Sequence, residues 1–132
     1  MKMYGVGTDI VSVGRIKKSL KSKSLLKRLF CHEEISKCSK LINSNNCYAK
    51  RFAAKEAFSK ALGTGISNGI NFNEIIVMNE KNGKPFIKLS GKTLKIIKKK
   101  FKKKPSISLS LSDEKKYAVA FVTISLWLKL DS

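Results

Sequence analysis

The segment between residues 46 and 63 places the strongest constraint on the fold. It reads "NCYAKRFAAKEAFSKALG" and is dominated by residues of high helix propensity, with Gly63 as the expected helix end. The larger apolar residues are Cys47, Phe52, Phe58 and Leu62, and the small ones are Ala53, Ala54, Ala57 and Ala61. Because alanines leave little side chain between two backbones, the segment predicts a long helix packed closely against another element.

The first strand is predicted over "YGVGTDIVSV", where small and β-branched residues alternate. Gly5 and Gly7 would let another backbone or a ligand come close, and Asp9 shares the face of Gly7 near the strand's end. Ser12 can cap a following helix. The inward positions of that helix are Ile16, Leu20, Leu25, Leu26 and Leu29.

The rest of the chain completes an α+β order. "FCHEEISKCSKLI" restarts a helix whose Glu33 and Glu34 suit its first turn, although Cys31 is a poor N-cap. Apolar runs flank an "NG" turn and later the turn "SDEKK", which indicates two hairpins. Between them "KTLKIIKKKFKKKP" predicts an amphipathic helix that Pro105 stops. The order β-α-α-α-β-β-α-β-β predicts an α+β fold, with an antiparallel sheet and a long central helix, as a single domain over residues 1–132.

The net charge narrows the class of partner. The 132 residues include 28 Lys+Arg against 9 Asp+Glu, a formal charge of +19. Such a field attracts polyanions: nucleic acid, anionic lipid, a phosphorylated cofactor or an acidic protein. The alternative is that lysine runs such as "KKK" cover solvated faces through compositional drift. The charge therefore indicates which classes of partner are possible and does not identify the partner.

Cysteine usage and hydropathy indicate a soluble, cytoplasmic protein. Cys31, Cys38 and Cys47 are odd in number and lack CxxC spacing, and the N-terminal sequence is not that of a secretory signal. These features favour a reducing compartment over a disulfide framework or a zinc site. "YAVAFVTISLWL" is too short for a membrane helix and rich in β-branched residues.

Two features that could indicate a binding or catalytic site lack the other residues that such a site requires. "SGKT" at 90–93 resembles the end of a P-loop, but Phe86 stands where the first glycine is required. His32 is the only histidine, and no nucleophile or metal-ligand set can be built around it. His32 is therefore interpreted as an exposed residue at a helix start.

The carboxylates leave two interpretations open. Asp9 ends a glycine-rich strand and Glu56 lies on the alanine-lined helix, so the two could hold a Mg²⁺ ion that takes its other ligands from water and substrate phosphates. Lys60, one turn from Glu56, could reach a phosphate, and the turn after Gly63 offers backbone N–H groups and the Thr64 hydroxyl. Alternatively, Glu56 and Lys60 form an ordinary surface ion pair.

Longer blocks of sequence resemble a known family. "YGVGTDIVSVGRI" and "KRFAAKEAFSKALGTGI" look like the two signature blocks of the holo-acyl-carrier-protein synthases, the small trimeric class of 4'-phosphopantetheinyl transferases. "NGKPFIKLSG" and "SLSDEKKYAVAFV" extend the resemblance, in the family's order, along nearly the whole chain. The resemblance implies transfer of 4'-phosphopantetheine from coenzyme A to a serine of apo-acyl carrier protein, with release of adenosine 3',5'-bisphosphate, in support of fatty acid biosynthesis.

The resemblance also implies roles for individual residues. Asp9 and Glu56 match the pair that holds Mg²⁺, and Lys60 matches a residue that assists the transfer. The implied phosphate and nucleotide contacts are Arg51, Ser59, Lys60, Gly63 and Thr64. The base that accepts the serine proton stays open between a metal-bound water and Glu34 acting through water.

Partners follow from the same resemblance. Arg15, Lys21 and Arg28 fall on the first helical region, which in the family docks the acidic carrier protein, so the charge of +19 is expected to raise the encounter rate in a salt-dependent way. The resemblance further implies a homotrimer with active sites at subunit interfaces. Cys31 departs from the family's usual threonine, and Asp113 replaces a common histidine, so a catalytic role for that histidine cannot apply; Asp113 is interpreted as turn chemistry.

Two rival functions are retained as alternatives. A small nucleic-acid-binding protein would explain the charge and the "KKKFKKKP" face. Against it, the aromatic residues lie mostly in apolar stripes and are not interleaved with the basic ones. A degenerate relative that only binds carrier protein is the other alternative, and the intact Asp9 and Glu56 argue against it. We therefore expect neither nucleic acid nor a membrane as partner.

Overall fold

A computed structural model describes residues 1–63 and 69–127. Its elements are β1 (Lys2–Ser12), α1 (Val13–Ser19), α2 (Lys23–Leu29), α3 (His32–Ser39), α4 (Ser44–Leu62), a 3₁₀ helix (Phe72–Glu74), β2 (Ile75–Asn79), β3 (Pro85–Leu89), α5 (Gly91–Phe101), β4 (Ser106–Asp113) and β5 (Tyr117–Leu126). One sheet has the order β1-β5-β4, the hairpin β2-β3 forms a second, and all pairings are antiparallel. The predicted α+β class and both hairpins are confirmed.

Helix α4 packs directly on β1, because glycines of the strand face alanines of the helix. A Cβ atom at Gly5 would collide with the carbonyl of Ala61, and one at Gly7 with the carbonyl of Ala57. The prediction that these glycines admit another backbone is therefore confirmed, and that backbone is α4. Asp9, two residues beyond Gly7 on the same face, is held beside the helix as a result.

The core lies between α4 and the inner face of the β1-β5-β4 sheet. Alternate residues of β5 are fully buried there, at Ala118, Ala120, Val122 and Ile124. Phe58 of α4 is also fully buried, which stabilises the fold by roughly 1.5–3 kcal/mol. Because β5 lies in the middle of the sheet, this burial fixes β1 and α4 relative to each other.

The part of the outer face that β1 and β5 form in this sheet is largely apolar and exposed. Ile10 is 64% exposed and Phe121 is 46% exposed. Thr8 pairs with Phe121 and Ile10 with Val119 across the β1–β5 ladder, so these side chains form one continuous surface. Exposed contiguous apolar surface of this kind is typical of a protein–protein interface.

The apolar run near the C-terminus is a strand, as predicted, and supplies β5. Within residues 1–63 and 69–127, none of the helices combines the length and the apolar character needed to cross a bilayer.

The predicted first helix is divided in two, which corrects its length. Ser12 caps α1 as expected, since its Oγ accepts from the Arg15 amide at 3.3 Å. Ser22 then caps a second helix by accepting from the Leu25 amide at 3.3 Å. The second serine cap therefore starts a new helix within a segment predicted to be continuous, and the chain turns between Ser19 and Lys23.

A disulfide joins α3 to α4, so the expectation of unpaired cysteines is wrong for two of the three. Cys38 in the last turn of α3 and Cys47 in the first turn of α4 are bonded, with their Cα atoms 5.4 Å apart. An odd number of cysteines excludes only complete pairing. The short connection between α3 and α4 keeps these two close together, and Cys31 stays free.

Candidate active site

Asp9 of β1 is paired with Lys60 of α4. The Lys60 ammonium donates to Asp9 Oδ1 and to the Thr8 carbonyl, each at 3.0 Å. The Asp9 side chain is 15% exposed and that of Lys60 is 55% exposed, so the pair lies at the edge of the protein. The alternative of a surface ion pair between Glu56 and Lys60 is therefore wrong in its partner, because the lysine reaches across to the strand.

Glu56 faces the same region without a partner of its own. Within residues 1–63 and 69–127, its carboxylate makes no hydrogen bond and no ion pair. Partial burial raises the pKa of Glu56, the neighbouring Asp9 carboxylate raises it further, and Lys60 lowers it in part. Lys60 is thus bonded to one of two neighbouring carboxylates, and within the described residues Glu56 has no ion-pair partner although the protein carries a large excess of positive charge.

Two adjoining clefts meet at Glu56. The smaller, about 430 Å³, contains Asp9 together with Ser12 and Arg15 of the strand end and α1. The larger, about 740 Å³, extends between α2 and the 3₁₀ helix, and Phe72 and Leu25 contribute to its apolar walls. The residues that line both clefts are Ile16, Ser19, Phe52 and Glu56. Glu56 therefore stands between a polar space beside Asp9 and a larger, more apolar one.

The donor set fits a hard divalent cation that is shared with a phosphorylated ligand. Among the described residues, no three acidic, histidine or cysteine side chains come together as a metal cluster. Asp9 and Glu56 are a pair, and Mg²⁺ commonly takes one or two carboxylates while water and substrate phosphates complete its shell. Oxygen ligands and an unneutralised carboxylate agree with that chemistry.

Glu34 is not available as a base, which overturns one of the two candidates for that role. It is buried, and its Oε1 accepts from the Lys55 ammonium at 2.7 Å and from the Cys31 amide at 3.1 Å. Its Oε2 accepts from the Val77 amide at 3.1 Å. The carboxylate thus supplies the helix-start contact that Cys31 was expected to lack, and it lines neither of the two clefts that meet at Glu56.

Arg51 and Ser59 lie on α4 but line neither of the two clefts that meet at Glu56. Arg51 is buried, and its guanidinium donates to Asn79 Oδ1 at 3.1 Å and to the Cys47 sulfur at 3.1 Å. The Arg51 Nε and the Ser59 hydroxyl are buried without hydrogen-bond partners in the described chain. One chain therefore does not bring Arg51 or Ser59 together with Asp9, Glu56 and Lys60.

The remaining candidate residues that the structure describes are exposed. Gly63 ends α4 in the left-handed region, with a φ of 80°, as predicted. Thr64 lies outside the described residues. Arg15 lines the smaller cleft and Arg28 the larger, while Lys21 lies in the exposed turn between α1 and α2.

Sequence reasoning missed the apolar walls of the site. Phe52 was interpreted as a core residue of α4, yet it is only half-buried and lines both clefts. Its position one turn before Glu56 places both on one side of the helix, and this spacing could have identified it. Phe72 packs its ring against that of Phe52, with centroids 5.9 Å apart, but no local pattern links it to the site.

Asp113 contacts α4 from the β4–β5 turn. Its carboxylate accepts from the Asn46 amide at 2.8 Å and lies 3.5 Å from the Lys50 ammonium. The side chain thus ties the end of the hairpin to the start of the helix.

Comparison with known proteins places this geometry in a family. A model of the 4'-phosphopantetheinyl transferase superfamily matches residues 5–122. A holo-[acyl-carrier-protein] synthase of Pelagibacter ubique (strain HTCC1062) is 50% identical over 125 residues, which are 94% of this chain and 98% of that protein. The synthase of Treponema denticola is 48% identical over 123 residues, 92% of this chain and 98% of that protein.

Solved structures agree with the sequence comparison. The crystal structure of a holo-(acyl-carrier-protein) synthase from Bacillus anthracis, in complex with CoA (3',5'-ADP), has a TM-score of 0.79 at 32% identity and covers 96% of this chain and 100% of that one. The Helicobacter pylori synthase in complex with coenzyme A has a TM-score of 0.76 at 32% identity, over 91% of this chain and 99% of that one. With the fold, the order of its elements and half of the residues of a full-length relative in common, the chain belongs to the 4'-phosphopantetheinyl transferase superfamily, among its holo-[acyl-carrier-protein] synthases.

Proposed function

We propose that the protein transfers 4'-phosphopantetheine from coenzyme A to a serine of apo-acyl carrier protein in a Mg²⁺-dependent reaction. The products are holo-carrier protein and adenosine 3',5'-bisphosphate, and the reaction serves fatty acid biosynthesis in the cytoplasm. The observation that carries the proposal is the Asp9–Glu56 pair, which shares one lysine and opens on a cleft. The names of the relatives and the coenzyme in two similar crystal structures support the choice of substrates.

Asp9 and Glu56 are the residues that would hold the metal ion. When bound, Mg²⁺ would neutralise the phosphate oxygens and stabilise the charge that develops on the leaving bisphosphate. Lys60 is long and 55% exposed, so its ammonium can turn from Asp9 toward a phosphate. The end of α4 follows directly, and we assign Gly63 and Thr64 to the same phosphates because they continue the chain from Lys60.

The chain contributes alignment more than covalent chemistry. Transfer of a phosphoryl-type group requires the attacking and leaving oxygens to be held in line, and the protein gains most from orientation and charge. The half-buried Phe52 and the buried Phe72 give one cleft a firm apolar wall beside Glu56. This wall would exclude water from the pantetheine side of the diphosphate.

The docking site for the carrier protein would lie on α1 and α2. Arg15 and Arg28 line the two clefts, and Lys21 lies between them in the turn. An acidic protein that contacts these three residues would present its serine at the mouth of the Glu56 cleft. The net charge of +19 would increase the rate of this encounter.

We further propose a homotrimer in which the outer face of the β1-β5-β4 sheet is buried. Ile10 and Phe121 are large, apolar and exposed on this face, and a subunit contact would remove them from water. Arg51 would then serve the nucleotide bound at a neighbouring subunit, since it lines neither of the two clefts that meet at Glu56 of its own chain.

A transfer assay tests the proposal. Purified protein, apo-acyl carrier protein and labelled coenzyme A are incubated with Mg²⁺ and, in parallel, with a chelator. We expect label on the carrier protein only with the metal, and none with Glu56→Ala. Absence of transfer by the wild-type protein, or equal transfer by Glu56→Ala, would overturn the proposed function.

A further inference from the structure

We propose that the buried Lys55–Glu34 pair positions Glu56 and the Phe72 wall, and thereby sets the affinity of the site for the metal and coenzyme. The inference deepens the proposed function and rests on it. Lys55 and Glu34 touch neither substrate in this account. They act through Glu56 and through the wall of the larger cleft, as positioning residues.

The Lys55 ammonium is fully buried, and each of its three N–H groups donates a hydrogen bond. It donates to Glu34 Oε1 at 2.7 Å, to the Phe72 carbonyl at 2.8 Å and to the Ile75 carbonyl at 2.8 Å. An ammonium has three N–H donors, so no donor is left over. One side chain of α4 is thus fixed to α3, to the 3₁₀ helix and to the first residue of β2.

Glu34 extends the connection on its other side. It accepts from the Cys31 amide at the start of α3 and from the Val77 amide in β2. Both carboxylate oxygens are therefore engaged in a water-excluded environment, where such bonds restrict geometry most strongly. The pair joins four elements at a single point beside the site.

Lys55 and Glu56 are adjacent in α4, so the contacts of Lys55 also determine the direction of Glu56, the proposed metal ligand. Successive residues of a helix point about 100° apart around its axis, so holding Lys55 inward fixes the rotation of α4 and directs Glu56 into the cleft. The bond to the Phe72 carbonyl holds the opposite wall, whose ring contacts Phe52. Both sides of the cleft are therefore located relative to one ammonium group.

An apolar side chain at position 55 could fill the same volume but not make the same contacts. It would leave the carbonyls of Phe72 and Ile75 without their buried donor and Glu34 as an unpaired buried charge. A buried ion pair is weak evidence of stabilisation, since neutral replacements of both partners often fold as well. An effect of the pair on stability and an effect on the geometry of the site can therefore be measured separately, as melting temperature and as ligand affinity.

The test compares Lys55→Met, Glu34→Gln and the double variant Lys55→Met/Glu34→Gln. The readouts are the melting temperature, binding of coenzyme A with Mg²⁺ by calorimetry, and Mn²⁺ binding by electron paramagnetic resonance. The single variant Lys55→Met is expected to melt well below the wild type. The double variant should melt above Lys55→Met, because no unpaired charge is buried, but below the wild type, because the carbonyls of Phe72 and Ile75 still lack their donor. Coenzyme and Mn²⁺ binding are expected to weaken about tenfold or more in the double variant, a loss of about 1.4 kcal/mol. Wild-type affinities in a folded double variant would overturn the inference.

A core variant separates positioning from general loss of stability. Ile124→Ala removes a fully buried side chain of β5 opposite Gly5, and Ile124 lines neither of the two clefts that meet at Glu56. It should lower the melting temperature while leaving coenzyme and Mn²⁺ binding unchanged well below that temperature. Equal weakening of binding by Ile124→Ala would attribute the effect to stability and reject the positioning role.

Kinetics distinguish this inference from the function on which it rests. In the double variant, KM for coenzyme A should rise while KM for the carrier protein stays as in the wild type. An equal rise in both would contradict positioning of the metal–coenzyme site. A wild-type protein that shows no transfer would reject the proposed function, and the Mn²⁺ titration would still decide the effect of Lys55 on Glu56.

Discussion

Lys60 donates to Asp9 at 3.0 Å and makes no bond to Glu56, the carboxylate one turn before it on the same helix. An i,i+4 Glu–Lys pair on a helix surface is normally the nearer choice. The close approach of β1 to α4, which Gly5 and Gly7 permit, brings Asp9 into competition for the lysine. The result is a second carboxylate, Glu56, whose charge Lys60 compensates only in part.

This imbalance predicts that Glu56 lowers the stability of the empty protein at neutral pH. Its pKa is raised above the ordinary value of 4.5, so the fold is favoured by the protonated form. That stabilisation is complete below the unfolded-state pKa and is lost as the pH rises through the folded-state pKa. Glu56→Gln should therefore melt at a higher temperature than the wild type at pH 7 without ligands.

The pH dependence supplies the check. The gain in melting temperature from Glu56→Gln should shrink as the pH falls through the raised pKa and vanish at about pH 4 or below. A control, Glu80→Gln in the exposed β2–β3 turn, should show no comparable gain at neutral pH. A lower melting temperature for Glu56→Gln at pH 7 would contradict the electrostatic description of the site.

The sequence predicted the scaffold of the site better than its walls. The long helix, the glycine contact with a second backbone and both hairpins follow from local composition, because propensity and turn chemistry act over a few residues. The burial of Glu34 does not follow, since its partners Lys55 and Val77 are distant in sequence. Arg51 is a similar case, because only the packing of α4 shows which way it points.

Carrier docking on α1 and α2 predicts an asymmetric effect of charge reversal. Arg15→Glu and Lys21→Glu should raise KM for the carrier protein roughly tenfold, because attraction to the acidic partner is lost. KM for coenzyme A should change less, and the effect should diminish at high salt. Lys99→Glu on the exposed face of α5 changes the charge equally and is the matched control. Equal rises in both KM values would argue against docking on these helices.

The subunit arrangement predicts complementation between two inactive variants. Glu56→Gln and Arg51→Ala should each be poorly active alone. If Arg51 acts on the nucleotide of a neighbouring subunit, roughly a quarter of all sites in trimers formed from an equal mixture should combine an intact Glu56 with an intact Arg51. The mixture should therefore regain roughly that share of the wild-type activity. Activity that stays at the level of the separate variants would contradict a shared site.

Disruption of the sheet contact gives an independent test of the trimer. Phe121→Lys places a charge on the exposed outer face of β5 and should yield monomers in analytical ultracentrifugation. Ile42→Lys, on the exposed connection between α3 and α4, is the matched control and should leave the oligomer intact. A monomeric wild type would reject the trimer directly.

The Cys38–Cys47 disulfide predicts a modest redox dependence of stability. It closes a short loop, so reduction should lower the free energy of unfolding by roughly 2–3 kcal/mol. The measurement is chemical denaturation with and without a reductant, for the wild type and Cys38→Ser. Cys31→Ser keeps the bond and should respond to reductant as the wild type does. A reductant effect that persists in Cys38→Ser would exclude this bond as its cause.

The most direct test of the account is a titration of Mn²⁺ into the protein saturated with coenzyme A, followed by electron paramagnetic resonance. The wild type should bind one ion per chain, and Asp9→Asn and Glu56→Gln should each weaken binding at least about tenfold, with turnover abolished. Glu80→Gln should bind as the wild type does. Wild-type affinity and turnover in both site variants would contradict the assignment of Asp9 and Glu56 as the metal ligands.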